Sequence, residues 1–193
     1  MLILASASPR RQELLRNAGI PFVVQATNIP EEPHDGEEPQ ACAERLAQEK
    51  AAAVFRERQD DLVLGADTIV VVEGTMLGKP GDAADAFRML RLLSGKTHAV
   101  ITGVCLMGKS RVPGSRSPIL ATHTRSATTR VQMEPISDSE IQDYIATGEP
   151  MDKAGAYAIQ GIASRWIARI EGDYANVVGL PVSLVYRMLR VLE

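Results

Sequence analysis

The chain has 193 residues, 45% of them hydrophobic and 23% charged, a composition that leaves no room for extended disorder and fits one large domain or two tightly joined lobes. Its formal net charge of −3 argues against a nucleic-acid partner, because phosphate backbones are gripped by fields of Lys and Arg. Any anion bound by this chain has to be met by a local cluster of cations.

The opening MLILASA imitates a signal peptide with a small-residue cleavage site, but its apolar run is too short and no basic residue precedes it. No apolar run approaches the ~18 residues needed to cross a membrane. Residues 2–5 instead predict a short buried strand, and Ser8-Pro9 predicts a helix start, with Ser8 as N-cap, Pro9 in the first turn and Gly19 as the stop. Arg10 and Arg11 therefore fall in a first helical turn, where acids are preferred. A bound anion would resolve that conflict; two arginines merely solvating the surface is the competing reading, and both remain open at this level.

A second strand is expected at 21–25, then an acidic loop NIPEEPHDGEEP, then a helix from about 39 to 56. In that helix Ala43, Leu46, Ala47, Lys50 and Val54 share one stripe, which puts a lysine on the apolar face. A lysine can snorkel from such a stripe, but one needed inside a cleft looks the same, and the functional reading is preferred.

Residues 62–72, LVLGADTIVVV, predict a strand interrupted by one charge, Asp67. The carboxylate either caps a turn at Gly65-Ala66 or holds a divalent metal and activates water with a second acid such as Glu32. A hairpin arm through EGTMLGKP, a helix at 82–93 closed by Gly95, strands at 97–107 and 119–132, a helix near 137–147, a strand around 165–170 and a terminal helix begun by Pro181 complete the prediction. Alternating strands and helices early, with paired strands in the middle, indicate an α/β fold with a mixed sheet.

Lys79 in LGKP, and Lys153 with Gln160 in DKAGAYAIQG, lie in turn-like segments. With Arg10, Arg11 and Lys50 they form a set able to neutralise a polyphosphate. Residues 103–110, GVCLMGKS, match the P-loop pattern letter for letter, but VCLM continues a strand and the following RVPGSRSP cannot open a helix, so the match is read as coincidence. Cys42 and Cys105 have no metal-ligand or disulfide spacing, and His34, His98 and His123 have no ligand spacing either. A reducing cytoplasm is the expected location.

Taken in order, LASASPRRQELL, the Glu-Glu pair at 31–32, RLAQEKA, LGADTIV, LGKP, LSGKTHAVITGV, GEPMDKAGAYAIQG and NVVGLP resemble the Maf-like nucleotide pyrophosphatases, also called septum-formation inhibitor proteins, over essentially the whole chain as one domain, 1–193. The resemblance implies an elongated mixed β-sheet flanked by helices, in two lobes with a central cleft, similar to the inosine-triphosphate pyrophosphatase fold. It implies hydrolysis of a nucleoside triphosphate to the monophosphate and pyrophosphate with a divalent metal, Mg²⁺ or Mn²⁺, and a homodimer. Asp67 matches the family's catalytic acid, and Arg10, Thr68 and Gln160 match positions tied to substrate choice. Ser6, Arg11, Lys50, Lys79 and Lys153 match phosphate and pocket positions, and Glu32 matches the metal side with Asp67. DKAGAYAIQG looks like the branch acting on dTTP and UTP. A regulatory nucleotide-binding protein without relevant turnover is the competing class, and a P-loop enzyme built on Lys109 the third.

Overall fold

The chain forms two compact units, each assembled from separate stretches of sequence. The computed structural model describes residues 1–110 and 119–191. The segment RVPGSRSP, 111–118, read above as unable to open a helix, lies outside the described residues. One unit comprises Met1–Asp67, Thr102–Ala127 and Gly179–Glu193, and the other comprises Thr68–Ile101 and Thr128–Val178.

Apart from α5, the elements follow the predicted order: β1 (Leu2–Leu4), α1 (Pro9–Asn17), β2 (Val23–Val24), α2 (Pro39–Phe55), β3 (Leu62–Val72), β4 (Thr75–Leu77), α3 (Ala83–Leu93), β5 (Thr97–Ser110), β6 (Ile119–Met133), α4 (Asp138–Ala146), β7 (Ile167–Glu171), α5 (Tyr174–Val178) and α6 (Val182–Val191). The sheet order is β2-β1-β3-β5-β6-β7, with β4 on β3. Strand β1 pairs parallel with β2 and β3, whereas β3–β4 and β6–β7 are antiparallel, so the mixed α/β sheet expected from the sequence is present. Among the described residues no helix is long and apolar enough to cross a membrane.

In the first unit both faces of the sheet are covered. Leu2, Leu4, Leu64, Ala66, Val104 and Leu106 pack with Leu15 of α1 and Val185 and Met188 of α6. Ile3, Val63, Cys105 and Met107 pack with Ala47, Ala51 and Val54 of α2. Two-sided burial explains why β1 and the first half of β3 read as unbroken apolar runs rather than alternating ones. Gly65 and Gly103 let α2 lie against the strands: a Cβ on Gly65 would stand 2.1 Å from the Ala47 carbonyl oxygen, and one on Gly103 2.2 Å from that of Ala43.

In the second unit one core forms from Val70, Val72, Val100, Val131 and Met133 against α3, α4, Tyr157 and Trp166. Here β6 alternates, with Thr129, Val131 and Met133 buried and Arg130 and Gln132 exposed, the pattern of a sheet with one face toward water. Helix α4 opens with a complete capping box between Ser137 and Glu140.

The short elements are where the sequence reading stopped. Two 3₁₀ turns, Glu149–Asp152 and Ala154–Ala156, occupy the stretch read only as turns, a third, Ile162–Trp166, covers the start of the strand expected around 165–170, and α5 was not predicted. Segments this short fall below the length at which helix propensity is informative. Tertiary bonds hold α5 instead: fully buried Asn176 donates from Nδ2 to the Val100 carbonyl and to Thr129 Oγ1, each at 3.0 Å.

Candidate active site

In β3, Gly65 and Asp67 are two residues apart and so share a face, the one toward α2. The missing side chain at Gly65 seats the Ala47–Ala51 turn of the helix, and that turn carries Lys50. As a result Lys50 Nζ reaches Asp67 Oδ1 at 2.6 Å, with both residues buried. The apolar-face lysine is thus not snorkelling into solvent. Its ammonium also donates to Glu31 Oε1 at 2.6 Å.

Glu31, rather than its neighbour Glu32, is the acid brought to Lys50. Arg45, five residues before Lys50 on α2, takes the carbonyl oxygen of Glu32 at 3.0 Å and grips the Glu37 carboxylate through Nε and Nη2, both at 2.7 Å. These bonds fix the loop between β2 and α2, and the Glu32 side chain is left exposed. Arg45 holds the Glu37 carboxyl well below the usual carboxylate range.

Ser8 caps α1 as predicted, accepting from the Arg11 N–H at 3.4 Å. Arg11 is buried, not a solvating surface group. Its Nε donates to the Gly179 carbonyl at 2.8 Å, and its Nη1 to the Ala66 carbonyl at 2.8 Å and to Ser6 Oγ at 3.2 Å. The unfavourable place of a cation in a first helical turn is therefore met from within the protein. Burial pulls the guanidinium below its ordinary pKa, while the negative charges of Asp67 and Glu31 pull it the other way and the charge of Arg10 adds to the lowering. Three cations, Arg10, Arg11 and Lys50, thus act on the same small region as two carboxylates.

Among the described residues no group of three or more His, Cys, Asp or Glu side chains is assembled as a metal centre. Two carboxylates converging on one cation is nevertheless a donor set that suits Mg²⁺, which is commonly held by one or two carboxylates together with substrate phosphates.

The remaining predicted residues belong to the second unit. Thr68 follows Asp67 on β3 and is half-buried, and Lys79 is exposed in the loop after β4. That loop is tied to the DKAGAYAIQG segment by Gly155 N–H donating to the Gly78 carbonyl at 3.0 Å. Lys153 donates to the carbonyl of Glu149 at 2.8 Å and pairs with Asp152. Gln160 is exposed in the turn that the Gly161 N–H closes onto the Ala158 carbonyl at 3.1 Å. The P-loop lookalike lies entirely within β5, with Lys109 paired to Asp60 at 2.8 Å, so it forms no phosphate-binding turn.

A family model described as Maf-like protein matches residues 1–192. The chain belongs to the Maf-like family. Over 98% of its length this Maf-like protein is 56% identical to the dTTP/UTP pyrophosphatase of Koribacter versatilis, covering 93% of that protein. It is 51% identical to the dTTP/UTP pyrophosphatase of Geobacter metallireducens, over 99% of this chain and 95% of the relative. Among solved structures it is similar to the nucleoside-triphosphatase / dITP/XTP pyrophosphatase of Mycobacterium abscessus, with a TM-score of 0.45 and 14% identity over 99% of this chain and 96% of that one.

Two residues that bond to predicted site residues, Glu31 to Lys50 and Glu149 to Lys153, are not singled out by the sequence. Glu31 is legible as half of a Glu-Glu pair, but nothing periodic in a loop tells which member meets Lys50. Glu149 had only its flanking Gly148-Pro150 as a signal, and its bonds to the loop that follows Gln160 are tertiary.

Proposed function

We propose that the chain hydrolyses dTTP and UTP to the nucleoside monophosphate and pyrophosphate. Water adds to the α-phosphorus, the bond from that phosphorus to the α,β-bridging oxygen breaks, and pyrophosphate leaves. The observation that carries this reading is near full-length identity of 56% and 51% to relatives that bear the name dTTP/UTP pyrophosphatase.

In this reading Asp67 orients the attacking water and accepts its proton, and Lys50 holds the carboxylate in place through the 2.6 Å bond to Oδ1. Arg10, Lys50 and Lys79, with Ser6, offset charge on the phosphates and on departing pyrophosphate. Arg11 adds positive charge to that region and, through the Ala66 carbonyl, fixes the strand immediately before Asp67. Lys153 and Gln160 face the sugar and the base, with Arg10 and Thr68 contributing to nucleotide choice. Mg²⁺ or Mn²⁺, held by Asp67 with Glu31 or Glu32, would neutralise phosphate charge during the reaction. On the same reading the protein works as a cytoplasmic homodimer, and sedimentation as a monomer at all concentrations would remove that part.

The test is a panel of nucleoside triphosphates incubated with the purified protein and Mg²⁺ or Mn²⁺, with products separated by chromatography. Pyrophosphate and monophosphate from dTTP and UTP are expected, and Asp67→Asn should abolish them while the fold persists. Release of orthophosphate, or binding without turnover, would overturn the proposal.

A further inference from the structure

The turn that carries Gln160 is held at both ends by one pair of side chains. At its start, the Ala158 N–H donates to Tyr144 Oη at 3.3 Å. At its end, the Ile162 N–H donates to Glu149 Oε1 at 3.1 Å and to Oε2 at 3.3 Å. The two holders are themselves joined, because Tyr144 Oη donates to Glu149 Oε1 at 2.8 Å. Tyr144 is 1% exposed and stacks edge-on against Trp166 at 5.3 Å between centroids, so it is a fixed point of the second unit's core. Burial and the neighbouring Glu149 carboxylate push its hydroxyl pKa up, which keeps the proton on the oxygen as the bond requires.

The residue after Gln160 completes the arrangement. A Cβ on Gly161 would lie 2.1 Å from Glu149 Oε1 and 2.5 Å from its Cδ, so the carboxylate occupies the space that any other residue would fill. Gly161 has negative φ, −102°, and is needed for this close approach rather than for its backbone angles. An exposed amide on a four-residue turn would otherwise sample many positions, and a polar group reads a base edge only when its geometry is set in advance.

We infer that Tyr144 and Glu149 form a clamp that positions Gln160 and thereby sets base selectivity, with Gly161 as the gap that admits the carboxylate. The inference rests on the reading of Gln160 as a base-facing residue. Tyr144 and Glu149 are positioning residues, acting through Gln160 and touching no substrate. Lys153 is held by the main-chain carbonyl of Glu149, which side-chain substitution leaves in place, so the position of Lys153 should be unaffected.

The experiment measures kcat/KM for dTTP, UTP, CTP and GTP in Tyr144→Phe, Glu149→Ala and Glu149→Gln, alone and combined with Gln160→Ala, with thermal unfolding run in parallel. Tyr144→Phe keeps the ring and removes both bonds of the hydroxyl; Glu149→Gln keeps an acceptor for the Ile162 N–H. Tyr144→Phe and Glu149→Ala should each lower the preference for dTTP and UTP over CTP and GTP by roughly three- to tenfold, the scale of one lost hydrogen bond, and Glu149→Gln should restore most of it. In the Gln160→Ala background neither substitution should change the preference further. If Glu149→Ala does not fold, Tyr144→Phe and Gly161→Ala carry the same comparison. An unchanged preference in Tyr144→Phe, when Gln160→Ala has lost it, overturns the clamp and leaves the role of Gln160 standing. An equal loss with and without Gln160 overturns it too, since the pair would then act elsewhere. If Gln160→Ala itself keeps the preference, the reading of Gln160 fails and the clamp with it.

Discussion

Lys50 and Asp67 are an ion pair of the interior: their Nζ and Oδ1 are 2.6 Å apart, and their side chains are 7% and 8% exposed. Their situations are unequal, because Lys50 has a second acid, Glu31, at 2.6 Å. Removing one partner of a buried pair leaves an uncompensated charge, at a cost of roughly 3–5 kcal/mol. Lys50→Met should therefore destabilise the protein by about that amount, and Asp67→Asn by clearly less, since the ammonium keeps Glu31. Urea unfolding of both variants and of the double variant checks this. Equal losses that simply add would mean that the two charges are not coupled.

Gly65→Ala is predicted to damage stability and activity together. The new methyl group would meet backbone atoms of α2 at 2.1 and 2.7 Å, and backbone cannot swing aside as a flexible side chain can. Overpacking of this kind costs on the order of 1–3 kcal/mol or more. Moving the Ala47–Ala51 turn also moves Lys50 away from Asp67. Turnover falling no more than stability predicts, with a thermal midpoint near that of the parent, would contradict the role given to this glycine.

Lys109→Ala should leave hydrolysis unchanged. Lys109 sits in β5 and pairs with Asp60, whose side chain is 95% exposed, and surface pairs of this kind contribute about 0–1 kcal/mol. A large loss of turnover would restore the P-loop reading of GVCLMGKS.

His98 should make the protein less stable in mild acid. The ring is 2% exposed, its Nε2 lies 2.8 Å from Tyr157 Oη, and its Nδ1 has no hydrogen-bond partner among the described residues. Burial lowers its pKa from 6.5 to about 4. Between those values the unfolded chain binds a proton that the folded chain does not. The contribution to stability is thus complete above pH 6.5 and declines as pH falls toward 4, by up to about 1.4 kcal/mol per pH unit. Urea unfolding between pH 7.5 and 5 should show a shallower pH dependence in His98→Phe than in the parent. Parallel curves would place the ring in contact with water.

Much of this protein was readable from local pattern. The apolar runs of β1 and β3, the Ser8 cap, and the stripe on α2 that puts Lys50 inward each depend on residues within a few positions of one another, and each is present in the structure. The same local logic rejected the P-loop, because a strand that continues through VCLM cannot also be a turn. Periodicity reports which face is buried but not what lies against it. That Lys50 meets Asp67 and Glu31, and that Arg11 closes on Ala66 and on Gly179, 168 residues away, depends on chain crossings that no local spacing records. Glu31 meets Lys50, while Glu32, read as the second acid beside Asp67, has its carbonyl held by Arg45, and a loop has no repeat to choose between neighbours. Helix α5 and the 3₁₀ turns around Lys153 and Gln160 are too short to carry propensity of their own, so their form comes from the buried amide of Asn176 and the carboxylate of Glu149.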